Sequence, residues 1–205
     1  MNRMEDKYEI LFINDGSFDS TPQIIKRIMA NDKNVKLITH KINQGFGAAI
    51  STGFENVTGD VIITMDADLT HDTDMITNFI KEVRNGYDIV IGSRYIENGG
   101  MINVPLWRVF VSKFAGLLFS FLFNMFDIKD KTSGYRTYSS LVKKIDITST
   151  GFPVQIEILI KMKKLGAKIK EIPIILNWRK KGYSKFKIFS VMMEYLKMVI
   201  YLKIS

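Results

Sequence analysis

The 205-residue sequence contains no cysteine, two histidines, four prolines and two tryptophans. Without thiols there is no disulfide framework, zinc ribbon, iron–sulfur cluster or thiol nucleophile, and a reducing compartment is expected. Any metal is left to oxygen ligands and to His40 or His71, a donor set that favours a hard cation. Long apolar runs are also scarce. The uncharged stretch FAGLLFSFLFNMF, between Lys113 and Asp127, covers about 20 Å as a helix, short of the roughly 30 Å hydrocarbon core of a bilayer. It predicts a buried or interfacial helix rather than a membrane span. The opening MNRMEDKYEI carries Glu5, Asp6 and Glu9 and no apolar run, so neither a signal peptide nor a transit peptide is expected.

The composition that remains, 46% hydrophobic with 24% charged residues, excludes a disordered chain and suits one domain over residues 1–205 with its own core. The net charge of +8 conceals an asymmetry. Residues 1–100 hold 10 Lys and Arg against 15 Asp and Glu; residues 101–205 hold 19 against 6. The acidic half can hold a cation, and the basic half points to an anionic macromolecular surface. That surface is a membrane or a nucleic acid.

Residues 8–91 alternate short β-rich runs with helical patterns, the signature of a parallel α/β sheet. Strands are expected at 8–13, 35–39, 61–65 and 87–91. A helix opens at Thr21-Pro22 as N-cap and first helical residue, with Ile24, Ile25, Ile28 and Met29 on its buried face. Further helices are expected at 44–57 and around Met75, Ile76, Phe79, Ile80 and Val83, the latter stopped by Asn85-Gly86. The second half reads as apolar helices, at 109–126 and 188–202. In the latter Ser190, Glu194, Lys197 and Tyr201 fall in one narrow polar stripe, a membrane-surface or partner-packing pattern. Lys143, Lys144, Lys161, Lys163, Lys164, Arg179, Lys180 and Lys181 are among the bases around these helices and tilt the reading to a membrane surface.

Three strings can carry chemistry. Asp66-Ala67-Asp68 follows a buried strand, at the carboxyl edge where open α/β sheets bind ligands. Two carboxylates there would repel each other unless a divalent cation, shared with a diphosphate, relieved them. A solvated strand-end turn is the plainer alternative. Asn14-Asp15-Gly16-Ser17-Phe18-Asp19 lies at another strand end, where an Asp could accept from a base or ribose, or simply shape an Asx turn. In Asn43-Gln44-Gly45-Phe46-Gly47-Ala48-Ala49 the glycines allow close backbone approach, and the helix amides would face an anion. His71 reads as a solvent-exposed turn residue and His40 as structural.

With GSRY (92–95), D-x-TSGYR (130–136), GFPVQIEIL (151–159), EIPI (171–174) and R-x-x-G-x-SKF (179–186), these strings resemble family 2 glycosyltransferases of the GT-A fold. The likeness is to members acting on dolichyl or polyprenyl phosphate and runs from about Tyr8 to Lys187. It implies a Rossmann-like, mostly parallel sheet flanked by helices, followed by C-terminal amphipathic helices. It also implies a first strand and helix bearing P-x-Y/F-N-E, which this sequence lacks, so an N-terminally truncated version of the fold is expected. Asn14 replaces the first of the usual Asp pair, Thr70 stands where Gln is common, and Phe46 where a base is common.

The resemblance implies transfer of a hexose, with inversion, from a nucleoside diphosphate sugar such as GDP-mannose or UDP-glucose to a polyprenyl phosphate, with Mg²⁺ or Mn²⁺ as cofactor. Asp15, Ser17, Asp19, Asn43, Gly45 and Asp66 would bind the donor, and Asp66 and Asp68 the metal. Asp68, Arg94, Asp130 and Arg136 would be catalytic. Ser133, Arg179, Ser184 and Lys185 would meet the acceptor phosphate. A phosphate monoester is already anionic near neutral pH, so no general base is required. The expected setting is the cytoplasmic face of a membrane, as a peripheral protein on an anionic surface with room for a membrane subunit as partner. No nucleic-acid partner is expected, since no RNA- or DNA-binding motif is present. A membrane-peripheral homologue that binds without catalysing is the alternative.

Overall fold

The computed structural model describes residues 7–177 and 188–204. Its first half follows the alternation of the sequence: β1 Ile10–Asp15, α1 Thr21–Asn31, β2 Val35–His40, α2 Phe46–Asn56, β3 Val61–Thr64, α3 Ile76–Arg84 and β4 Ile89–Ser93. The second half adds β5 Gly100–Ile102, α4 Leu106–Phe123, β6 Arg136–Ser139, α5 Val154–Lys164, β7 Ile169–Pro173, β8 Ile175–Asn177 and α6 Ile188–Ile204.

The strands form three sheets rather than one. β1 pairs parallel with β2, the order β3-β6-β4-β7 makes a four-stranded sheet, and β5 pairs parallel with β8. β6 runs antiparallel to both β3 and β4, while β4 and β7 are parallel. Three of the five strand pairs are parallel, as expected of a mostly parallel fold, and β6 is the antiparallel exception. The chain reaches it from β4 through β5, α4 and the 124–135 segment, and an antiparallel strand is not bound by the handedness rule for parallel crossovers.

Local details shift in the same physical terms. α1 begins at Thr21 with Ser20 as N-cap and Pro22 in the first turn. The Asp19 carboxylate accepts from Thr21 N–H at 3.0 Å, covering the first amide of the helix. α4 is one turn earlier than its apolar pattern suggested. It stops at Asn124, whose left-handed φ of 50° donates its N–H back to Ser120.

The main core lies on one face of the four-stranded sheet. Ile62, Ile89, Ile91 and Tyr138 pack there against Ile156, Leu159 and Met162 of α5, Phe119 of α4, and Met198 and Leu202 of α6. The other face packs Val90 and Tyr135 on Phe79 and Val83 of α3. Burying each such side chain contributes roughly 1.5–3 kcal/mol, which is why α5, buried nearly all round, fixes the centre of the molecule. α4 and α6 are the opposite case. Phe110, Phe114 and Phe121 of α4 are 70%, 61% and 70% exposed, and Leu196 and Ile200 of α6 are about half exposed.

Candidate active site

β3 ends at Thr64 and delivers Asp66 and Asp68 beyond the sheet edge. Asp66 is exposed, with half of its side chain open to solvent. Leu69 then takes a positive φ of 62°. This turn returns Thr70, whose N–H and hydroxyl both donate to Asp68 Oδ1, at 3.2 and 2.6 Å. The position expected to carry an amide side chain thus orients a carboxylate. His71 corrects the reading of an exposed turn residue: its side chain is 4% exposed, lies against the Tyr135 ring at 4.8 Å, and sets Nε2 at 3.8 Å from Asp66 Oδ2. Tyr135 O–H donates to the Asp72 carbonyl at 2.9 Å, closing the loop.

Asp15, at the end of β1, has both carboxylate oxygens engaged. Oδ1 accepts from His40 Nδ1 at 2.7 Å and from Gln44 N–H at 2.8 Å; Oδ2 accepts from Gly45 N–H at 2.8 Å. Asn43 Nδ2 donates to the Asp15 carbonyl at 3.0 Å. Burial alone would raise the Asp15 carboxyl, but the bonds from Gln44, His40 and Gly45 outweigh it and hold it below the ordinary carboxylate range. Ser17 N–H donates to the Asn14 side chain at 3.1 Å, leaving Ser17 and Asp19 exposed on the turn.

The first amides of α2 face a carbonyl. Gly47 N–H and Ala48 N–H donate to the Thr150 carbonyl at 2.7 and 3.2 Å, and the amides of Gln44 and Gly45 are taken by Asp15. The 148–150 segment is itself gripped by Glu157, whose carboxylate accepts from Thr148 N–H, the Thr148 hydroxyl and Ser149 N–H at 2.7–2.9 Å. The helix opening expected to face an anion is a joint between two loops, and the anion that its Gln44 and Gly45 amides meet is the chain's own Asp15.

Arg94, just after β4, meets Asp130 through two parallel bonds. Nε donates to Oδ2 and Nη2 to Oδ1, both at 2.7 Å, and Nη2 also reaches the Thr132 hydroxyl at 2.8 Å. Burial works against both charges, yet each is held in its ionised form by the other, the Asp130 carboxyl being pulled down and the Arg94 guanidinium up. Asp130, Ser133 and Arg136 are all buried. Ser133 N–H donates to Asp130 Oδ1 at 3.1 Å. Arg136 donates from Nη1 to the Gln155 carbonyl at 2.6 Å and from Nη2 to the Lys131 carbonyl at 2.7 Å. The physical reason is β6, whose central place in the sheet draws residues 133–136 inward. Arg179, Ser184 and Lys185 lie outside the described residues.

Sequence reading passed over three further participants. Thr132 and Glu171 support the Arg94–Asp130 pair, Glu171 by accepting from the amides of Lys129 and Asp130 at 2.7 Å each. The third is Gln155, in the first turn of α5. It lies within the GFPVQIEIL string of the family resemblance, but only its burial at the start of α5 singles it out within that string.

Comparison with known proteins bears directly on this arrangement. Residues 1–141 match the model of Glycosyl transferase family 2. The chain belongs to that family. It is 35% identical to a dolichol-phosphate mannosyltransferase of Pyrococcus furiosus over 93% of this chain and 53% of the relative. It is 32% identical to an undecaprenyl-phosphate mannosyltransferase of Micrococcus luteus over 86% of this chain and 75% of that one. The chain thus spans about half the length of the Pyrococcus relative. Among solved structures, glucosyl-3-phosphoglycerate synthase of Mycobacterium tuberculosis, in complex with Mn²⁺, UDP and glucosyl-3-phosphoglycerate, superposes with a TM-score of 0.64 at 18% identity. The match covers 95% of this chain and 67% of that one. The fold is the α/β GT-A fold that the motifs implied.

The donor set of Asp66 and Asp68 fits the hard cation expected with this fold. Mg²⁺ and Mn²⁺ characteristically take one or two carboxylates and complete their shell with substrate phosphate and water. Among the described residues no group of three or more His, Asp or Glu is placed to hold a metal alone. A half-exposed Asp66 beside an oriented Asp68 suits shared ligation with a diphosphate.

Proposed function

We propose that this family 2 chain transfers a hexose from a nucleoside diphosphate sugar to a polyprenyl phosphate with inversion, using Mg²⁺ or Mn²⁺ held by Asp66 and Asp68. The observation that carries this reading is the oriented acidic pair at the end of β3, in a chain whose α4 presents an exposed apolar face. The relatives' names support the acceptor class. A bound cation would offset negative charge on the departing diphosphate, a contribution of several kcal/mol. Asp15 sets the 43–45 loop against β1, so that Asn43, Gly45, Ser17 and Asp19 border the donor nucleoside. Asp130 and Arg136 act as positioning residues: the first aims Arg94 at the phosphates, the second fixes the start of α5. Ser133 braces the Asp130 loop. Arg179, Ser184 and Lys185 are assigned to the acceptor phosphate on the family resemblance.

α4 has 18 residues and is long and apolar enough to cross a membrane by length and composition. About 27 Å long, with Arg108 and Lys113 within it and Gly116, Phe119 and Ser120 packed inward, it suits lying in the headgroup region of the cytoplasmic face. Lysines near an anionic surface add about 1 kcal/mol each. A membrane subunit would seat on the same face.

Transfer of labelled hexose from GDP-mannose or UDP-glucose to undecaprenyl phosphate, with added Mg²⁺ or Mn²⁺, tests the proposal. Asp68→Ala and EDTA are each expected to lower turnover at least about 100-fold. Metal-independent transfer, or full activity of Asp68→Ala, would refute it. A second reading, a membrane-peripheral protein that binds without transfer, is favoured by the separation of β1–β2 from the four-stranded sheet. It predicts vesicle binding with no affinity for GDP or UDP.

A further inference from the structure

Gly134 lies between the buried Ser133 and Tyr135 but is itself partly open to solvent. Its carbonyl accepts from the Thr64 hydroxyl at 2.9 Å, fixing it beside the end of β3. Where a side chain would begin, there is space for one methyl-sized group. A Cβ built there would lie 3.7 Å from Gln155 Nε2, 3.9 Å from Phe46 Cζ and 4.0 Å from Asp66 Oδ2, with nothing closer. A niche is thus walled by an amide, an aromatic edge and the acid assigned to the metal. Gln155 is 3% exposed, and neither Nε2 nor Oε1 has a hydrogen-bond partner among the described residues. Its backbone is fixed by Arg136, through the Gln155 carbonyl.

A buried amide with both ends unpaired costs stability unless something completes it. What completes it must both donate and accept, because Oε1 only accepts and Nε2 only donates. A phosphate oxygen without a proton satisfies Nε2 alone and would be repelled by Asp66 and by Oε1. A hydroxyl satisfies either end, is the size of the methyl group that the niche admits, and can rest on the Phe46 edge through its carbon. Resting on the transferase reading above, we infer that the Gly134 niche receives a hydroxyl of the donor hexose, with Gln155 as its hydrogen-bonding partner and a specificity-determining residue.

Two variants test this by separate routes. Gln155→Met keeps the length and removes both polar ends; Gly134→Ala fills the niche at ordinary contact distances. Calorimetric titration with GDP-mannose and GDP, and with UDP-glucose and UDP, in Mn²⁺ is the measurement. In both variants the affinity for the nucleotide sugar that the parent binds is expected to fall about tenfold, while affinity for the matching diphosphate stays within about twofold and the melting temperature is not lowered. Unchanged affinity for the sugar nucleotide, or an equal loss for sugar nucleotide and diphosphate, overturns the niche assignment. So does a melting temperature lowered in both variants together with unchanged affinities, which would make Gln155 a structural residue completed by water. If the parent chain binds none of the four ligands, the transferase reading itself fails.

Discussion

His40 Nδ1 sits 2.7 Å from Asp15 Oδ1, and its other nitrogen, Nε2, is 3.0 Å from the Thr52 hydroxyl. Because an ionised carboxylate only accepts, a ring proton belongs on Nδ1, and Nε2 is left to pair with the Thr52 hydroxyl. Asp15 on β1, His40 on β2 and Thr52 on α2 are thereby tied through one imidazole. Asp15→Ala strips partners from His40 and from the Gln44 and Gly45 amides at once. A stability loss of about 1–3 kcal/mol is expected, with weaker nucleoside diphosphate binding because the 43–45 loop is no longer held. Urea denaturation and calorimetry check the two effects separately.

Asp130 is fully buried and Arg94 nearly so, so removing one partner strands the other charge. Asp130→Ala is expected to cost about 3–5 kcal/mol, read from the shift in denaturation midpoint. The double variant Arg94→Leu with Asp130→Ala is expected to regain part of that loss, since no charge is left unpaired. A double variant no more stable than Asp130→Ala would contradict this account.

Acid sensitivity follows from four carboxyls. Burial opposes each charge, but hydrogen bonds and cations prevail: Glu9 is lowered to about 2, through Lys36 and Thr58, and Asp15, Asp130 and Glu157 are lowered as well. The unfolded chain therefore takes up protons first as pH falls through ordinary carboxylate values near 4. Stability is fully present above about pH 5 and declines steadily towards pH 2. Urea midpoints measured across that window should fall with pH; a flat profile would show that these carboxyls gain nothing on folding.

The exposed aromatic residues of α4 separate surface binding from folding. Phe110→Ser, Phe114→Ser and Phe121→Ser together are expected to leave the urea midpoint within about 0.5 kcal/mol of the parent, as surface changes do. Each buried phenylalanine contributes roughly 1.5–3 kcal/mol in an apolar setting, so partition onto phosphatidylglycerol vesicles should drop by a factor of about 100 or more. Sedimentation with vesicles reads this. Retained binding would move the membrane contact to another face.

The parts of this fold legible in the sequence are those with local causes. Ile24 to Met29, Phe79 to Val83 and the VIIT strand declare themselves by period, and Asp66 and Asp68 by following a buried run. Hidden from it were β5 to β8, because Arg136-Thr137-Tyr138-Ser139 has no apolar alternation and becomes a central strand only through partners 45 to 78 residues earlier in the chain. The site divides in the same way. The string around Asp130 drew notice, but its burial depends on Arg94 and Glu171 arriving from other strands. Thr150 occupying the α2 amides is equally non-local, and no pattern within residues 43–49 announces it.

One consequence of the Arg94–Asp130 pair concerns timing. A mobile arginine surrenders about 2 kcal/mol of rotamer entropy when an anion immobilises it. Here Asp130, Thr132 and the Tyr95 ring, 5.2 Å from the guanidinium carbon, have already fixed the side chain during folding. In the role proposed for Arg94, an incoming phosphate would meet a cation whose direction is set beforehand, so the ordering cost would fall on the stability of the protein and not on the affinity for its ligand.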